Sequence, residues 1–240
     1  MIQQTSTELA RTEPTRTDPH ATLALVIFDC DGVLVDSEPI SLARLTFGLN
    51  RIGVPIDVDT VRVRFAGTSM VSIMAHIVRD YPVTVPDDFV DVVKADTLRA
   101  FDEGLTAMPG VALAISGLSL PHCVASSSDP VRLSHTLGLT GLLPLFGNRV
   151  YSSTMVARGK PAPDLFLHAA AAMGIRPGAC LVVEDSVPGV QAARAAGMRV
   201  AGFVGGGHWA HDRTGADLIA AGAARVFTDF SAFAEVVATA

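Results

Sequence analysis

Residues 23–38, with the sequence LALVIFDCDGVLVDSE, decide the fold of this chain. The six apolar residues at 23–28 are too few to cross a membrane and are typical of a strand that is buried on both faces. Two carboxylates, Asp29 and Asp31, follow directly. Open α/β sheets hold ligands at the carboxyl ends of their strands, and two close like charges repel. These side chains therefore indicate a site that binds a cation, shares a proton or performs chemistry.

The composition indicates a large apolar core. Of the 240 residues, 49% are hydrophobic and 18% are charged, and the net charge is -6, which disfavours non-specific binding of nucleic acid. No apolar stretch reaches the roughly 18 residues of a membrane helix. Residues 1–20 lack the apolar segment of a secretory signal, so we expect neither export nor a membrane partner.

The three cysteines, Cys30, Cys123 and Cys180, are far apart and odd in number. This pattern predicts buried free thiols rather than a disulfide or a zinc site. Free thiols are typical of a reducing compartment, so the predicted location is the cytoplasm.

Strands and helices alternate along most of the chain. Residues 1–20 have no periodicity and are predicted to form a disordered tail. Residues 37–105 carry apolar side chains at helical spacing, which predicts a small helical domain. It is inserted into an α/β core, 21–36 and 106–240, with a doubly wound, Rossmann-like parallel sheet. The remaining predicted elements are strands at 122–126, 149–152, 180–185, 199–204 and 225–227, and helices at 129–137, 164–173 and 189–196.

Three predicted strands end in polar side chains. In a parallel sheet these ends share one edge, and Lys160 precedes a helix start marked by Pro161 and Pro163. Oxygen ligands suit Mg²⁺, while a lysine and hydroxyl groups suit phosphoryl oxygens. The sequence therefore predicts a crevice for Mg²⁺ and a phosphate. The polar pairs are Asp29 with Asp31, Ser126 with Ser127, and Glu184 with Asp185.

Other polar residues near this edge have simpler interpretations. Asp36 and Ser37, like Ser128 and Asp129, precede predicted helices and are expected to cap them. His208 and His211 lack a third ligand nearby and are expected on a surface loop or helix. The glycines at 205–207 are expected to form a flexible turn. No Gly-x-Gly-x-x-Gly follows the first strand, which argues against a dinucleotide enzyme.

Four motifs, in order, resemble the haloacid dehalogenase superfamily, in its phosphatase and phosphomutase branch with a helical cap. The first is the Asp-x-Asp-Gly-x-x-x-Asp-Ser pattern at 29–37, and the second is Ser126. The third is Lys160 within Gly-Lys-Pro-Ala-Pro-Asp, and the fourth is Glu-Asp-Ser at 184–186. Together they span most of residues 24–204.

The resemblance implies a role for each motif. Asp29 would attack phosphorus and carry an aspartyl-phosphate. Asp31, protonated while Asp29 stays ionised, would protonate the leaving group and then help to deprotonate water. Lys160 and Ser126, with backbone N–H groups around Asp31 and Ser127, would bind phosphoryl oxygens. The implied Mg²⁺ ligands are Asp29, the backbone carbonyl of Asp31, Glu184 and Asp185.

Four activities compete: a phosphatase, a β-phosphoglucomutase-like isomerase, a dehalogenase and a catalytically inactive binding protein. Asp31 argues against a dehalogenase, because halide leaves without a proton. The complete set of core motifs argues against an inactive relative. The mutase pattern has an arginine where Met70 stands, a lysine where Asp129 stands and a hinge histidine where Ser41 stands. These departures favour the phosphatase and leave the mutase as the alternative.

The choice of substrate is expected in the cap, because the core site contacts only the phosphoryl group. The predicted cap loop comprises Phe65, Gly67, Thr68, Ser69 and Met70. Relatives with this cap commonly act on sugar phosphates, which implies a small phosphorylated metabolite, with Gly67 and Ser69 binding it. The cap is expected to open and close near Ser37 and Leu105. A monomer is favoured, although the sequence does not determine the oligomeric state.

Overall fold

The computed structural model describes residues 22–65, 70–209 and 213–240, so the predicted tail lies outside it. Its strands are β1 (Leu25–Phe28), β2 (His122–Ser126), β3 (Val150–Ser152), β4 (Cys180–Glu184), β5 (Arg199–Phe203) and β6 (Arg225–Phe227). They form one parallel sheet in the order β3-β2-β1-β4-β5-β6. Because the chain winds outward from β1 in both directions, the predicted doubly wound α/β fold is confirmed.

The register of the central strands determines where the polar groups emerge. Phe28, the last residue of β1, lies opposite Val124 of β2 and Val183 of β4. Every residue of β1 and β4 is buried, as their continuous apolar sequences require. Asp29 follows Phe28 just as Glu184 follows Val183, so the two carboxylates emerge at the same edge of the sheet.

Of the five α-helices described between β1 and β2, the first four form a separate layer. These are α1 (Glu38–Arg51), α2 (Val58–Phe65), α3 (Met70–Asp80) and α4 (Phe89–Gly104). They share an apolar cluster that includes Leu49 and Ile77. Phe101 and Leu105, at the end of this layer, pack instead into the cluster beneath the sheet. The cap boundaries 37–105 stay a prediction that these contacts support.

The remaining helices cover both faces of the sheet. Val26 and Phe28 belong to one buried cluster, and Leu25 and Ile27 belong to another, because alternate residues of a strand face opposite sides. None of the helices in the described ranges has the length and apolarity needed to cross a bilayer. The core helices are α5 (Val111–Ser116), α6 (Pro130–Leu139), α7 (Leu143–Phe146), α8 (Asp164–Ala172), α9 (Val187–Ala195), α10 (Ala216–Ala221) and α11 (Phe233–Ala238).

Two local predictions are wrong. Helix α9 begins at Val187 rather than at Gly189, because the Ser186 hydroxyl accepts a hydrogen bond from the Gly189 N–H at 3.2 Å and caps the helix. Val92 follows the apolar spacing of α4, yet it is 47% exposed, because the buried stripe of this helix runs through Phe89 and Val93.

The three cysteines are free and buried, as predicted. Burial raises the pKa of Cys123 to about 12 and that of Cys180 to about 11. Neither side chain is therefore a thiolate at neutral pH, and both act as small apolar groups of the core.

Candidate active site

Three carboxylates and one lysine meet at the carboxyl edge of the sheet. Asp29, Glu184 and Asp185 each offer an oxygen, and these oxygens lie within 4.8 Å of one another. Lys160, from the turn before α8, donates to Asp29 Oδ1 and to Glu184 Oε1, both at 2.7 Å. All four side chains are buried. The structure thus brings together four residues that the sequence assigned to one crevice.

The cluster carries three carboxylates against one ammonium group, so its negative charge is not fully balanced. Burial raises the pKa of Asp29 well above its usual range, and although Lys160 opposes this, the charges of Glu184 and Asp185 add to it. Burial and the charge of Glu184 likewise raise the pKa of Asp185. Burial alone would lower the pKa of Lys160, but its two carboxylate partners raise it, so the ammonium stays charged. A hard divalent cation would supply the missing charge, so this all-oxygen donor set fits Mg²⁺.

Glu184 is held by the start of α9. The Ser186 backbone N–H and hydroxyl donate to Glu184 Oε2 at 2.7 and 2.9 Å. A Cβ on Gly189 would lie 1.7 Å from Glu184 Oε1, so only glycine leaves room for this carboxylate. The helix start therefore fixes one oxygen and leaves the other facing Lys160.

Asp31 has a different environment. Its Oδ1 accepts from Arg132 Nη2 and from the Ser37 hydroxyl, each at 2.6 Å, and its Oδ2 accepts from the Ser128 hydroxyl at 2.5 Å. Burial alone would raise the pKa of Asp31, but the charge of Arg132 and these hydrogen bonds lower it. The Asp31 carboxylate is not part of the three-carboxylate cluster, so only its backbone carbonyl remains a candidate ligand.

Several expectations for this region are corrected. Without a bound cation, the pKa directions of Asp31 and Asp29 are the reverse of the expected ones, because Arg132 stabilises the Asp31 carboxylate and burial disfavours that of Asp29, so the protonation of Asp31 during catalysis stays a prediction. Ser37 and Ser128 do not cap helices, since their hydroxyls donate to Asp31. Asp129 does cap α6, as predicted, by accepting from the Arg132 N–H at 3.0 Å.

The second motif lies at the end of β2. Ser126 is 1% exposed, and its hydroxyl accepts from the Ser128 N–H at 3.1 Å. Ser127 is exposed, and its carbonyl accepts from the Ser153 hydroxyl at 2.7 Å. This turn therefore lies at the same sheet edge as Asp29. It places the exposed Ser127 next to the buried hydroxyl of Ser126.

The predicted cap loop is only partly described. Gly67, Thr68 and Ser69 lie outside the described residues. Phe65 was expected to face the crevice, but it is 2% exposed and packs into the apolar cluster of the cap. Met70 packs against the same cluster.

His208 is a site residue that the sequence analysis missed. Its Nε2 lies 2.9 Å from Asp185 Oδ2, and only 9% of its side chain is exposed, so the expectation of a surface position is wrong. Burial lowers the pKa of His208, although the charges of Glu38 and Asp36 oppose this. The sequence does contain a signal for His208: three glycines and then this histidine follow a core strand. His211 lies outside the described residues.

Arg132 and Glu38 were also missed. The Arg132 guanidinium lies 4.8 Å from the centre of the Phe101 ring and donates to the Ser41 hydroxyl at 3.1 Å. Burial, with the charge of Asp31 adding to it, raises the pKa of Glu38 to about 7. The signal for Arg132 was its position in the first turn of the helix that follows the Ser126 turn.

Comparison with known proteins agrees with this geometry. The sequence profile of the haloacid dehalogenase-like hydrolases matches residues 23–197. The chain is 34% identical over 184 residues to the 6-phosphogluconate phosphatase of Escherichia coli, a match that covers 76% of this chain and 83% of the relative.

Two solved structures are similar over their whole length. A haloacid dehalogenase-like protein of Agrobacterium tumefaciens has a TM-score of 0.82 and 37% identity, covering 90% of this chain and 98% of that one. A hydrolase of this family from Deinococcus radiodurans, solved with bound phosphate and sodium, has a TM-score of 0.75 and 35% identity, covering 91% and 96%. The chain belongs to the haloacid dehalogenase-like hydrolases, which confirms the family that its motifs indicated.

Proposed function

We propose that this protein is a Mg²⁺-dependent phosphatase that hydrolyses a small sugar phosphate through an aspartyl-phosphate on Asp29. The enzyme is a phosphoric monoester hydrolase that acts on a phosphorylated metabolite, in keeping with its phosphatase relatives. The metal, the covalent intermediate and the sugar are the proposed details. The observation that carries the metal site and the nucleophile is that Lys160 lies 2.7 Å from both Asp29 and Glu184, beside Asp185. The sugar is proposed from the relatives, which include the 6-phosphogluconate phosphatase.

Asp29 is the proposed nucleophile. It follows the central strand, so its backbone is held rigidly in the sheet, and Lys160 orients one of its oxygens. A bound Mg²⁺ would supply positive charge to the phosphoryl oxygens and keep the three carboxylates ionised. The proposed protein ligands are Asp29, Glu184, Asp185 and the backbone carbonyl of Asp31.

The remaining core residues would bind and exchange protons. Lys160, the Ser126 hydroxyl and backbone N–H groups near Asp31 and Ser127 are proposed to hold the transferring oxygens. An oxygen of Asp29 bonds to phosphorus while the ester P–O bond breaks, and Asp31 gives its proton to the leaving alkoxide. Water then attacks phosphorus and passes a proton to Asp31, which frees Asp29 and phosphate. For this, Asp31 must exchange its contact with Arg132 for the substrate.

The residues around Ser126 support a phosphatase over the mutase alternative. The carboxylate of Asp129, which stands in place of the mutase lysine, is occupied in capping α6. A second phosphate near it would meet a negative charge. Gly67 and Ser69 remain proposed substrate contacts, and the cytoplasmic location and monomeric state remain predictions.

A panel of phosphorylated metabolites tests this proposal. We expect phosphate release from sugar phosphates, loss of turnover with a chelator and its return with Mg²⁺. Replacement of the nucleophile, Asp29→Asn, should lower kcat at least about 10⁴-fold, because no covalent intermediate can form. Leu113→Ala, at an exposed site on α5, serves as the control and should retain activity.

Two results would contradict the proposal. Retained turnover in the Asp29→Asn enzyme would exclude the nucleophile. Formation of glucose 6-phosphate from β-glucose 1-phosphate, with a trace of bisphosphate and faster than phosphate release, would establish the mutase instead.

A further inference from the structure

The segment 203–209, FVGGGHW, leads from β5 back to the carboxylate cluster. Residues Gly207–Trp209 form a short 3₁₀ helix, with the Trp209 N–H donating to the Gly206 carbonyl at 3.0 Å. The Gly207 N–H donates to Asp36 Oδ1 at 2.9 Å, which ties the segment to the turn after β1. The segment is therefore hydrogen-bonded within itself and to Asp36, whereas its glycines had suggested a flexible turn.

Glycines make room for the His208 ring. A Cβ on Gly206 would lie 2.9 Å from the ring, and a Cβ on Gly32 would lie 3.0 Å from it. A Cβ on Gly32 would also lie 1.9 Å from Asp185 Oδ2. Since real side chains essentially never approach so closely, these two glycines form a slot in which the ring meets Asp185.

We propose that His208 is a positioning residue that holds Asp185 as a ligand of the divalent cation. The proposal rests on the cation site described under Proposed function. The imidazole engages Oδ2 through Nε2, at 2.9 Å, and so leaves Oδ1 to the cation. Ligating carboxylates in metalloproteins are commonly oriented by such hydrogen bonds, and removing the outer partner typically weakens metal affinity about 10- to 100-fold.

An imidazole suits this place because its rigid ring presents a single nitrogen to Asp185 Oδ2, whereas a flexible lysine or arginine can contact both carboxylate oxygens and compete with the cation. The His208 ring is also buried beside Trp209, with ring centres 5.8 Å apart, which limits its rotation.

Direct metal binding tests this role independently of turnover. Mn²⁺ accepts the same oxygen ligands as Mg²⁺. The protein can be titrated with Mn²⁺, and electron paramagnetic resonance then measures the concentration of free Mn²⁺. His208→Leu should weaken Mn²⁺ binding about 10- to 100-fold. His208→Gln, whose amide can place an N–H near the position of Nε2, should restore most of the affinity. His208→Asn, whose shorter side chain falls short of Asp185, should not.

A matched control uses the second histidine–aspartate pair. His135 Nε2 lies 2.9 Å from Asp102 Oδ1, between α6 and α4, and this pair is not part of the carboxylate cluster. His135→Leu should therefore leave Mn²⁺ affinity unchanged. Circular dichroism of each variant checks the fold. If His208→Leu does not fold, the comparison of His208→Gln with His208→Asn still tests the role, because both of these variants carry a polar amide.

The outcomes separate this proposal from the proposed function. Wild-type affinity in His208→Leu, or equal losses in the Gln and Asn variants, would overturn the role of His208 alone. Failure of the wild-type protein to bind Mn²⁺ would overturn both the cation site and this role. Normal metal binding and the expected His208 effects, without phosphatase turnover, would overturn only the proposed function.

Discussion

Glu38 is an acid placed among other acids. It begins α1, and its carboxyl is half-buried. Burial and the charges of Asp31 and Asp185 act to raise its pKa, and the charges of His208 and Arg132 act to lower it. Burial and the like charges raise its pKa to about 7. An acid whose pKa is higher in the folded state holds more protons there than in the unfolded chain. The free energy of unfolding therefore falls as pH rises from about 4.3 to about 7.

Replacing this acid should remove that pH dependence. In the metal-free protein, Glu38→Gln should reduce the loss of stability between pH 5 and pH 8 by up to about 3 kcal/mol. Urea unfolding at a series of pH values measures the effect. Glu103→Gln, an exposed glutamate at the end of α4, should keep the wild-type profile. Parallel profiles for all three proteins would show that Glu38 ionises as an ordinary surface acid.

Single residues differed in how well the sequence predicted them. Asp29, Glu184 and Asp185 stand next to buried strands, so the strand order alone brings them together. The partner of His208 follows the strand β4, and that of Arg132 lies in the turn after β1. Each contact depends on packing that no local pattern records. Ser37 and Ser128 were misjudged for the same reason, because a nearby carboxylate competes with the helix end for each hydroxyl.

Helix ends show which elements are stabilised by side chains. Asp129 caps α6 through the Arg132 N–H, whereas Asp88, at the corresponding position of α4, makes no side-chain cap hydrogen bond. Both residues are aspartates before a helix, so the sequence alone treats them alike. The difference matters for the site, because α6 carries Arg132 in its first turn.

Removing the two caps should have unequal effects. Asp129→Ala should lower the free energy of unfolding by about 1 kcal/mol, because the N–H of Arg132 loses its acceptor. Asp88→Ala should change it by only a few tenths of a kcal/mol. Chemical denaturation of both variants measures the difference. Equal losses would mean that the Asp129 hydrogen bond does not stabilise α6.

The sequence predicted the fully buried strands but not the shortest helices. The strands β1 and β4 were predicted because buried strands read as continuous apolar runs bounded by polar residues. The helices α7 and α10, of four and six residues, were not predicted, because so few positions show no helical period. Their formation depends on the tertiary contacts that cover them rather than on local sequence.

At the scale of the whole molecule, Arg132 joins the cap to the core. It lies on α6 of the core, donates to Asp31 after β1 and to Ser41 of α1, and packs on Phe101 of α4. Three separate segments therefore depend on one buried guanidinium. The sequence predicted a hinge near Ser37 and Leu105 but not this link, because it forms only when the cap packs on the core.

A double-mutant cycle measures how strongly the ion pair of Arg132 with Asp31, on which this arrangement depends, stabilises the protein. Arg132→Met should cost about 3 kcal/mol, because it leaves the Asp31 carboxylate buried with only hydroxyl donors. Asp31→Asn should also destabilise the protein, by leaving the guanidinium without its anion. The double variant should cost about 1–3 kcal/mol less than the sum, since the second change no longer leaves a charge unpaired.

The control is a pair in the cap with more solvent access. The side chains of Arg64 and Asp80 are 33% and 27% exposed, against 21% and 14% for Arg132 and Asp31. The coupling energy for Arg64→Met with Asp80→Asn should stay below about 1 kcal/mol, because water screens this pair. Urea unfolding, followed both by fluorescence of Trp209 and by far-ultraviolet circular dichroism, gives each free energy and checks that cap and core unfold together. If the coupling of Arg132 with Asp31 is no larger than that of the cap pair, the Arg132–Asp31 ion pair stabilises the protein no more than a solvent-screened pair does.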